Sequence, residues 1–129
     1  MVPNFGQDKY TIMAKHLMQG RAAEQIAALY FTKKFYLLRH RNYRYRKSEI
    51  DLIVEKGGLL LFVEVKSAKH NRFGEPEKNI KRGQINRIKL AAEAYQQATL
   101  WEGEIRFDSI LLTFFPQAIK IEHFKDAFS

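Results

Sequence analysis

Apolar positions change period several times along the 129 residues of the chain. Over residues 7–34, Met13, Leu17, Gly20, Ala23, Ala27 and Tyr30 recur at helical spacing with polar residues between them, which predicts a first helix. Residues 35–45 predict a strand rich in aromatics and interleaved with Arg39, Arg41 and Arg44. Residues 49–55 and 59–67 predict two more strands, joined at Gly57-Gly58, a dipeptide suited to a tight hairpin turn. A polar loop over residues 68–77 contains Phe73-Gly74. A second helix follows to about residue 97, with Ile85, Ile88, Ala92 and Tyr95 on one face. Residues 106–115 and 118–123 close the chain as two strands around Pro116. The expected order is α-β-β-β-α-β-β, a mixed α/β class. Without repeats, low-complexity tracts or a proline-rich linker, the chain is expected to form one domain over residues 1–129.

The predicted hairpin concentrates the candidate chemistry. A two-residue turn at Gly57-Gly58 sets Asp51 opposite Glu64 and Glu49 opposite Lys66. A four-residue turn would leave Asp51 diagonal to Glu64, still on the same face. In this register Ile50, Leu52, Val54, Leu61, Val63 and Val65 share an apolar face. Ile53 and Phe62 lie on the other face near the turn, with Glu49, Asp51, Glu64 and Lys66 towards its open end. Like charges directly opposite in a sheet repel, so Asp51 and Glu64 need a cation, a shared proton or free access to water. Hard divalent cations prefer such oxygen donors. The competing interpretation is a solvated sheet face carrying cross-strand salt bridges, such as Glu49 to Lys66.

Charge adds a class of partner. The formal net charge is +8 and the isoelectric point about 9.8, as expected of a surface that attracts polyanions such as nucleic acid. Arg39, Arg41, Arg44, Arg46 and Lys47, interleaved with Tyr43 and Tyr45, suit phosphates and unstacked bases. They equally suit a charged edge strand that blocks aggregation. Lys69, Arg72, Lys78, Lys81 and Arg82 either extend this surface or form a solvated loop and helix end. There is no cysteine, which excludes disulfides and thiolate metal sites and fits a cytoplasmic protein. The longest clean apolar run, residues 59–63, is too short to span a bilayer, and residues 1–10 show no secretory pattern. His16, His40, His70 and His123 have no ligand spacing on one element, against a zinc or histidine-base site.

Glu49-Ile-Asp-Leu-Ile53 followed by Phe62-Val-Glu-Val-Lys66 resembles the PD-(D/E)xK nuclease core, with Asp51 as first acid and Glu64-Val65-Lys66 as second acid and lysine. Nearly the whole chain resembles the YraN-like bacterial family, related to Holliday-junction resolvases. The matching pieces are Gly20-Arg-Ala-Ala-Glu24, Arg41-Asn42, the hairpin, Phe73-Gly74, Phe107-Asp108 and residues 121–128. The chain departs from the family with Ser48 where glycine is usual and Ser67-Ala68 where Thr-Arg is usual. Lys81, Arg82 and Gln84 stand where a basic cluster is expected.

The resemblance implies a restriction-endonuclease-like core, a mixed sheet flanked by helices. It also implies a divalent-metal endonuclease acting on DNA, with branched or damaged DNA among the candidate substrates. Asp51 and Glu64, with the Val65 carbonyl, would hold Mg²⁺ or Mn²⁺, and Lys66 would position or activate water. Glu24 matches a first-helix glutamate that often joins the metal, although it could be an ordinary exposed glutamate. Glu49 would be an accessory ligand or a partner of Lys66. Junction cleavage would require two sites and therefore a homodimer. The alternatives are a non-catalytic nucleic-acid-binding module with the nuclease fold, and a small protein-interaction domain.

Overall fold

The computed structural model describes residues 9–69 and 82–128, with side chains from Gly20 onward. The side chains of Met13, Leu17 and His16 lie outside the described residues, as do His70, Arg72, Phe73-Gly74, Lys78 and Lys81. The elements are α1 (Lys9–Lys33), β1 (Leu37–Tyr45), β2 (Ser48–Lys56), β3 (Leu59–Lys69), α2 (Arg82–Thr99), β4 (Glu104–Phe114) and β5 (Ile119–Phe124). They form one mixed five-stranded sheet in the order β1-β2-β3-β4-β5. β3 and β4 run parallel, with α2 in the connection, and every other neighbouring pair is antiparallel. The mixed sheet flanked by helices is the expected architecture. No helix among the described residues is long and apolar enough to cross a membrane.

β3 sits mid-sheet and is covered on both faces. Its Leu60-Leu-Phe-Val63 run is therefore continuously apolar rather than alternating, and all of it is fully buried. α1 covers one face: Ala23, Ala27 and Phe31, each four residues apart, pack against Leu52, Val54, Leu61, Val63, Ile110 and Leu112. The alanines allow the helix to approach closely, whereas Gly20 meets open space and plays no part in that contact. α2 covers the other face through Ile88, Ala91, Ala92 and Tyr95, against Ile50, Ile53, Leu60 and Phe62.

The β2–β3 turn forms as expected. Gly57 and Gly58 both have positive φ, 59° and 81°, which the tight turn requires and glycine adopts without strain. The pairs Lys56–Leu59 through Leu52–Val63 have the expected register. Beyond Leu52 the single-face pattern is corrected. Ile50 packs with Ile53 and Phe62 beneath α2, not with Leu52 and Val54 beneath α1. β2 therefore changes sense at Asp51.

A second polar cluster fastens the C-terminal end. Asp108 is fully buried and accepts hydrogen bonds from Arg106 Nε (2.8 Å) and Nη2 (2.9 Å), and from the Asp126 N–H (3.0 Å). His123 Nε2 lies 2.7 Å from Asp108, and Tyr30 Oη lies 3.1 Å from His123 Nδ1. With Nε2 donating to the carboxylate, a neutral ring leaves Nδ1 to accept from the Tyr30 hydroxyl. Burial pushes the Asp108 carboxyl up, but donors from His123, Arg106 and Asp126 outweigh it and hold the pKa at about 2. The cluster joins α1, β4, β5 and the segment that buries Phe128.

Candidate active site

Where β2 changes sense, its ladder to β3 stops. The Val65 N–H donates to Asp51 Oδ2 at 2.7 Å, to a side chain rather than to a strand carbonyl. This places the Asp51 carboxylate against β3. Glu64, buried in β3, is hydrogen-bonded to Asp51, and Gln84 Nε2 from the first turn of α2 donates to Glu64 Oε1 at 2.6 Å. Asp51 and Glu64 thus converge where the β2–β3 ladder ends, through the break in the ladder rather than through the regular cross-strand pairing expected of the hairpin.

Two carboxylates this close and this shielded cannot both carry a charge cheaply. Burial chiefly, then the charge of Glu64, pushes Asp51 from 3.8 to about 8, against the Val65 N–H that favours its ionised form. Glu24 and Glu49 push it in the same direction. Burial also raises Glu64, while the Lys66 ammonium and the hydrogen bonds from Asp51 and Gln84 pull it down. Near neutral pH the pair therefore shares one proton, with Asp51 as donor and Glu64 as acceptor.

Glu24, half-buried on α1, faces this pair from one side and Glu49 from another. Asn42 joins them. Its backbone is left-handed (φ 52°), a conformation asparagine tolerates better than most residues. With its amide nitrogen turned towards the acids, it donates to Glu24 Oε1 at 3.1 Å and to Glu49 Oε1 at 2.9 Å. Glu49 pairs with Arg44 at 3.3 Å, which corrects the cross-strand bridge to Lys66. Asp51, Glu64, Lys66, Glu24 and Glu49 are thus all brought to one end of the hairpin.

The basic residues are less uniform. Arg39 pairs with Glu55 at 3.0 Å, near the opposite end of β2. Arg41, Arg44, Arg46 and Lys47 are exposed along β1 and its turn into β2, on the side of the acids. Lys69 and Arg82 are exposed at the end of β3 and the start of α2. The role expected for the tyrosines is corrected. Tyr43 and Tyr45 are half-buried against the α2 cluster, and Tyr43 meets Tyr95 edge-on at 5.2 Å. The Arg46 guanidinium lies over the Tyr45 ring, 5.3 Å from its centre.

Among the described residues no group of three or more His, Cys, Asp or Glu side chains is arranged to hold a metal ion. The donors that would fit one are Asp51 and Glu64. Both are oxygen ligands, and in the absence of a cation only a proton reconciles them.

The model of one protein family matches residues 23–112, from the buried face of α1 into β4. The chain belongs to the uncharacterised protein family UPF0102. It is 38% identical over 99 residues to a UPF0102 protein of Cytophaga hutchinsonii, covering 77% of this chain and 88% of that one. It is 36% identical over 116 residues to one from Christiangramia forsetii, covering 90% and 98%. A Phocaeicola vulgatus UPF0102 protein is 37% identical over 116 residues, covering 90% and 96%. All the acids of the site, with Asn42, Lys66 and Gln84, fall inside the segment matched to UPF0102.

Sequence reasoning missed the bridging role of Asn42, the contact of Gln84 with Glu64, and the Asp108–His123–Tyr30 cluster. Asn42 carried a signal, since asparagine inside a predicted strand marks a backbone irregularity. Gln84 carried none, because its contact is with a residue twenty positions away.

Proposed function

We propose that this UPF0102 protein is a divalent-metal-dependent endonuclease of the PD-(D/E)xK type, acting on DNA through Asp51, Glu64 and Lys66. The observation that carries this is the forced pairing of Asp51 and Glu64. The fold holds two carboxylates together at a cost that a bound cation would remove, and sets a lysine two residues from one of them. A solvated, purely structural sheet face has no need of such a pair.

Mg²⁺ or Mn²⁺, held by Asp51 and Glu64 with Glu24 close by, would supply Lewis-acid stabilisation of phosphate charge and lower the pKa of a bound water. The chain's own residues do the rest. The Val65 N–H and Gln84 fix the two carboxylates from opposite elements, so neither must reorganise when a phosphate arrives. Lys66 supplies positive charge beside Glu64, suited to orienting a water and to offsetting charge that develops on phosphate oxygens. Asn42 keeps Glu24 and Glu49 at the edge of the pair. Arg41, Arg44, Arg46, Lys47 and Arg82 border the acids and suit the flanking phosphates.

The test is cleavage of a panel of linear, single-stranded and branched DNAs with Mg²⁺ or Mn²⁺, by wild type, Asp51→Asn and Lys66→Ala. Wild type is expected to cut at least one substrate, and both variants to lose cleavage while still binding DNA. Activity that survives in both variants would refute the assignment. A wild type that binds DNA and cuts none of the panel would leave a binding module in its place.

A further inference from the structure

Both helices end in the same unusual way. At the end of α1 the Tyr36 N–H donates to the Phe31 carbonyl (3.1 Å) and the Phe35 N–H to the Thr32 carbonyl (3.0 Å). At the end of α2 the Trp101 N–H donates to the Gln96 carbonyl (3.0 Å) and the Leu100 N–H to the Gln97 carbonyl (3.4 Å). This paired closure puts one residue in the left-handed region, and that residue is usually glycine because a Cβ is strained there. Here the residues are Phe35 (φ 69°) and Leu100 (φ 55°). Packing does not compensate the strain, since the two side chains are 85% and 82% exposed.

The two residues lie at one pole. Lys56 Nζ donates to the Lys34 carbonyl at 2.8 Å, and the Glu104 N–H donates to the Gly58 carbonyl at 3.1 Å. Both helix ends therefore flank the Gly57-Gly58 turn, one on each face of the sheet, at the end of the hairpin away from Asp51 and Glu64. Leu37 adds a third apolar side chain, 58% exposed. Charge divides the pole: exposed Lys33, Lys34 and Lys56 surround the end of α1, and exposed Glu102 and Glu104 follow the end of α2. Beside Leu100 and Trp101 lies a shallow groove of about 290 Å³, completed by Gln96, Gln97 and Glu102. An aromatic projection with a basic flank and an apolar groove with an acidic flank thus occur on one surface. The acidic half repels a polyanion, whereas a second copy turned about a two-fold axis meets each feature with its complement.

We propose that this pole is a two-fold homodimer interface, in which Phe35 of each copy enters the groove beside Leu100 of the other while its lysines face Glu102 and Glu104. The acid sites then sit at the far ends of the dimer. The six residues from Asp51 to Lys56 span about 17 Å, so the two sites are at least about 34 Å apart and face away from each other.

The experiment is sedimentation equilibrium on the full chain from micromolar to near-millimolar concentration, beside thermal denaturation of the same samples. Wild type is expected to dimerise. Phe35→Gly should weaken the dimer about thirtyfold or more, as loss of an aromatic anchor does. It should also raise the melting temperature of the dilute protein by a few degrees, because the left-handed strain is relieved. A stabilised protein that fails to dimerise cannot be explained by misfolding. Reversing one flank (Lys33→Glu with Lys34→Glu) or the other (Glu102→Lys with Glu104→Lys) should leave each variant monomeric alone and form a heterodimer on mixing. A wild type that is monomeric throughout overturns the proposal. So do a Phe35→Gly protein that dimerises as well as wild type, and reversed variants that stay apart when mixed.

Discussion

Replacing Asp51 with asparagine removes the titrating proton of the buried pair and changes little else. The amide oxygen can accept the Val65 N–H that Oδ2 accepts now, and the amide nitrogen can donate to Glu64 as the protonated carboxyl does. In wild type the folded-state pKa of Asp51 is raised from 3.8 to about 8. Between those values the folded protein keeps a proton that the unfolded chain has released, so stability falls as pH rises through the window and levels off above it. Each unit corresponds to at most about 1.4 kcal/mol, giving a ceiling near 4 kcal/mol between about pH 5 and pH 8. Water reaches a partly accessible carboxyl, so the expected loss is about 2 kcal/mol, or roughly 8 °C in melting temperature for a chain of this size. Asp51→Asn should lose the share of this decline that Asp51 contributes, keeping only that of the buried Glu64, and be the more stable protein at pH 8 in EDTA. Mg²⁺ should reduce the difference by stabilising wild type selectively. The assay is differential scanning calorimetry of both proteins across the pH range, with EDTA and with Mg²⁺. Parallel pH profiles for the two proteins would refute the buried-pair account.

Lys66→Ala should abolish Mg²⁺-dependent cleavage while retaining most Mn²⁺ affinity by calorimetric titration, because lysine is not a ligand; equal loss of both would make its role structural. Asp108→Ala should cost about 3 kcal/mol in urea denaturation at pH 7, since it leaves Arg106 and His123 facing a vacated buried site. The folded-state pKa of Asp108 is lowered, so its contribution is complete above about pH 4 and lost as pH falls towards 2; the cost of Asp108→Ala should shrink over that range. DNA affinity should fall steeply with salt, each neutralised phosphate adding about −0.9 to the log–log slope, and Arg41→Ala with Arg46→Ala should make that slope shallower.

The features legible in the sequence are those set by periodicity and turn chemistry. Gly57-Gly58 identifies the hairpin and its register from Lys56–Leu59 to Leu52–Val63, and so brings Asp51 and Glu64 to the same end of it. Ala23, Ala27, Ile88, Ala92 and Tyr95 identify the faces the helices bury. Departures from regular backbone are not legible in this way. Alternation puts Ile50 beside Leu52, but β1 is irregular between Leu38 and His40 and left-handed at Asn42, and β2 turns Ile50 to the α2 face. Tyr43 and Tyr45, flanked by arginines, suggest an exposed binding strip, yet the rings supply core area that short side chains of α2 such as Ala91 and Ala92 leave open. Asp108 has only Arg106 beside it along β4, and its other side-chain partners are not legible until β5 and α1 bring His123 and Tyr30 to the cluster.

The irregularity of β2 and the chemistry of the acid pair have one physical origin. A regular ladder through Asp51 would satisfy the Val65 N–H with a backbone carbonyl. It would leave Asp51 and Glu64 as an ordinary cross-strand pair, able to lean away from each other into solvent. Ending the ladder at Leu52–Val63 frees the Val65 N–H to fix the Asp51 carboxylate, and Gln84 fixes Glu64 from the other side. Neither acid can then relieve the repulsion by moving. The opposition must be met by a proton or a cation, and which of them is present sets the charge of the site. Local rules of strand pairing and charge placement are broken together at this point, while the buried pairs between Leu52–Val63 and Val54–Leu61 hold the hairpin in place. A sheet that needed only stability would gain by repairing either departure. Retaining both, inside a rigid core and next to Lys66, is what a preorganised charge-handling site requires.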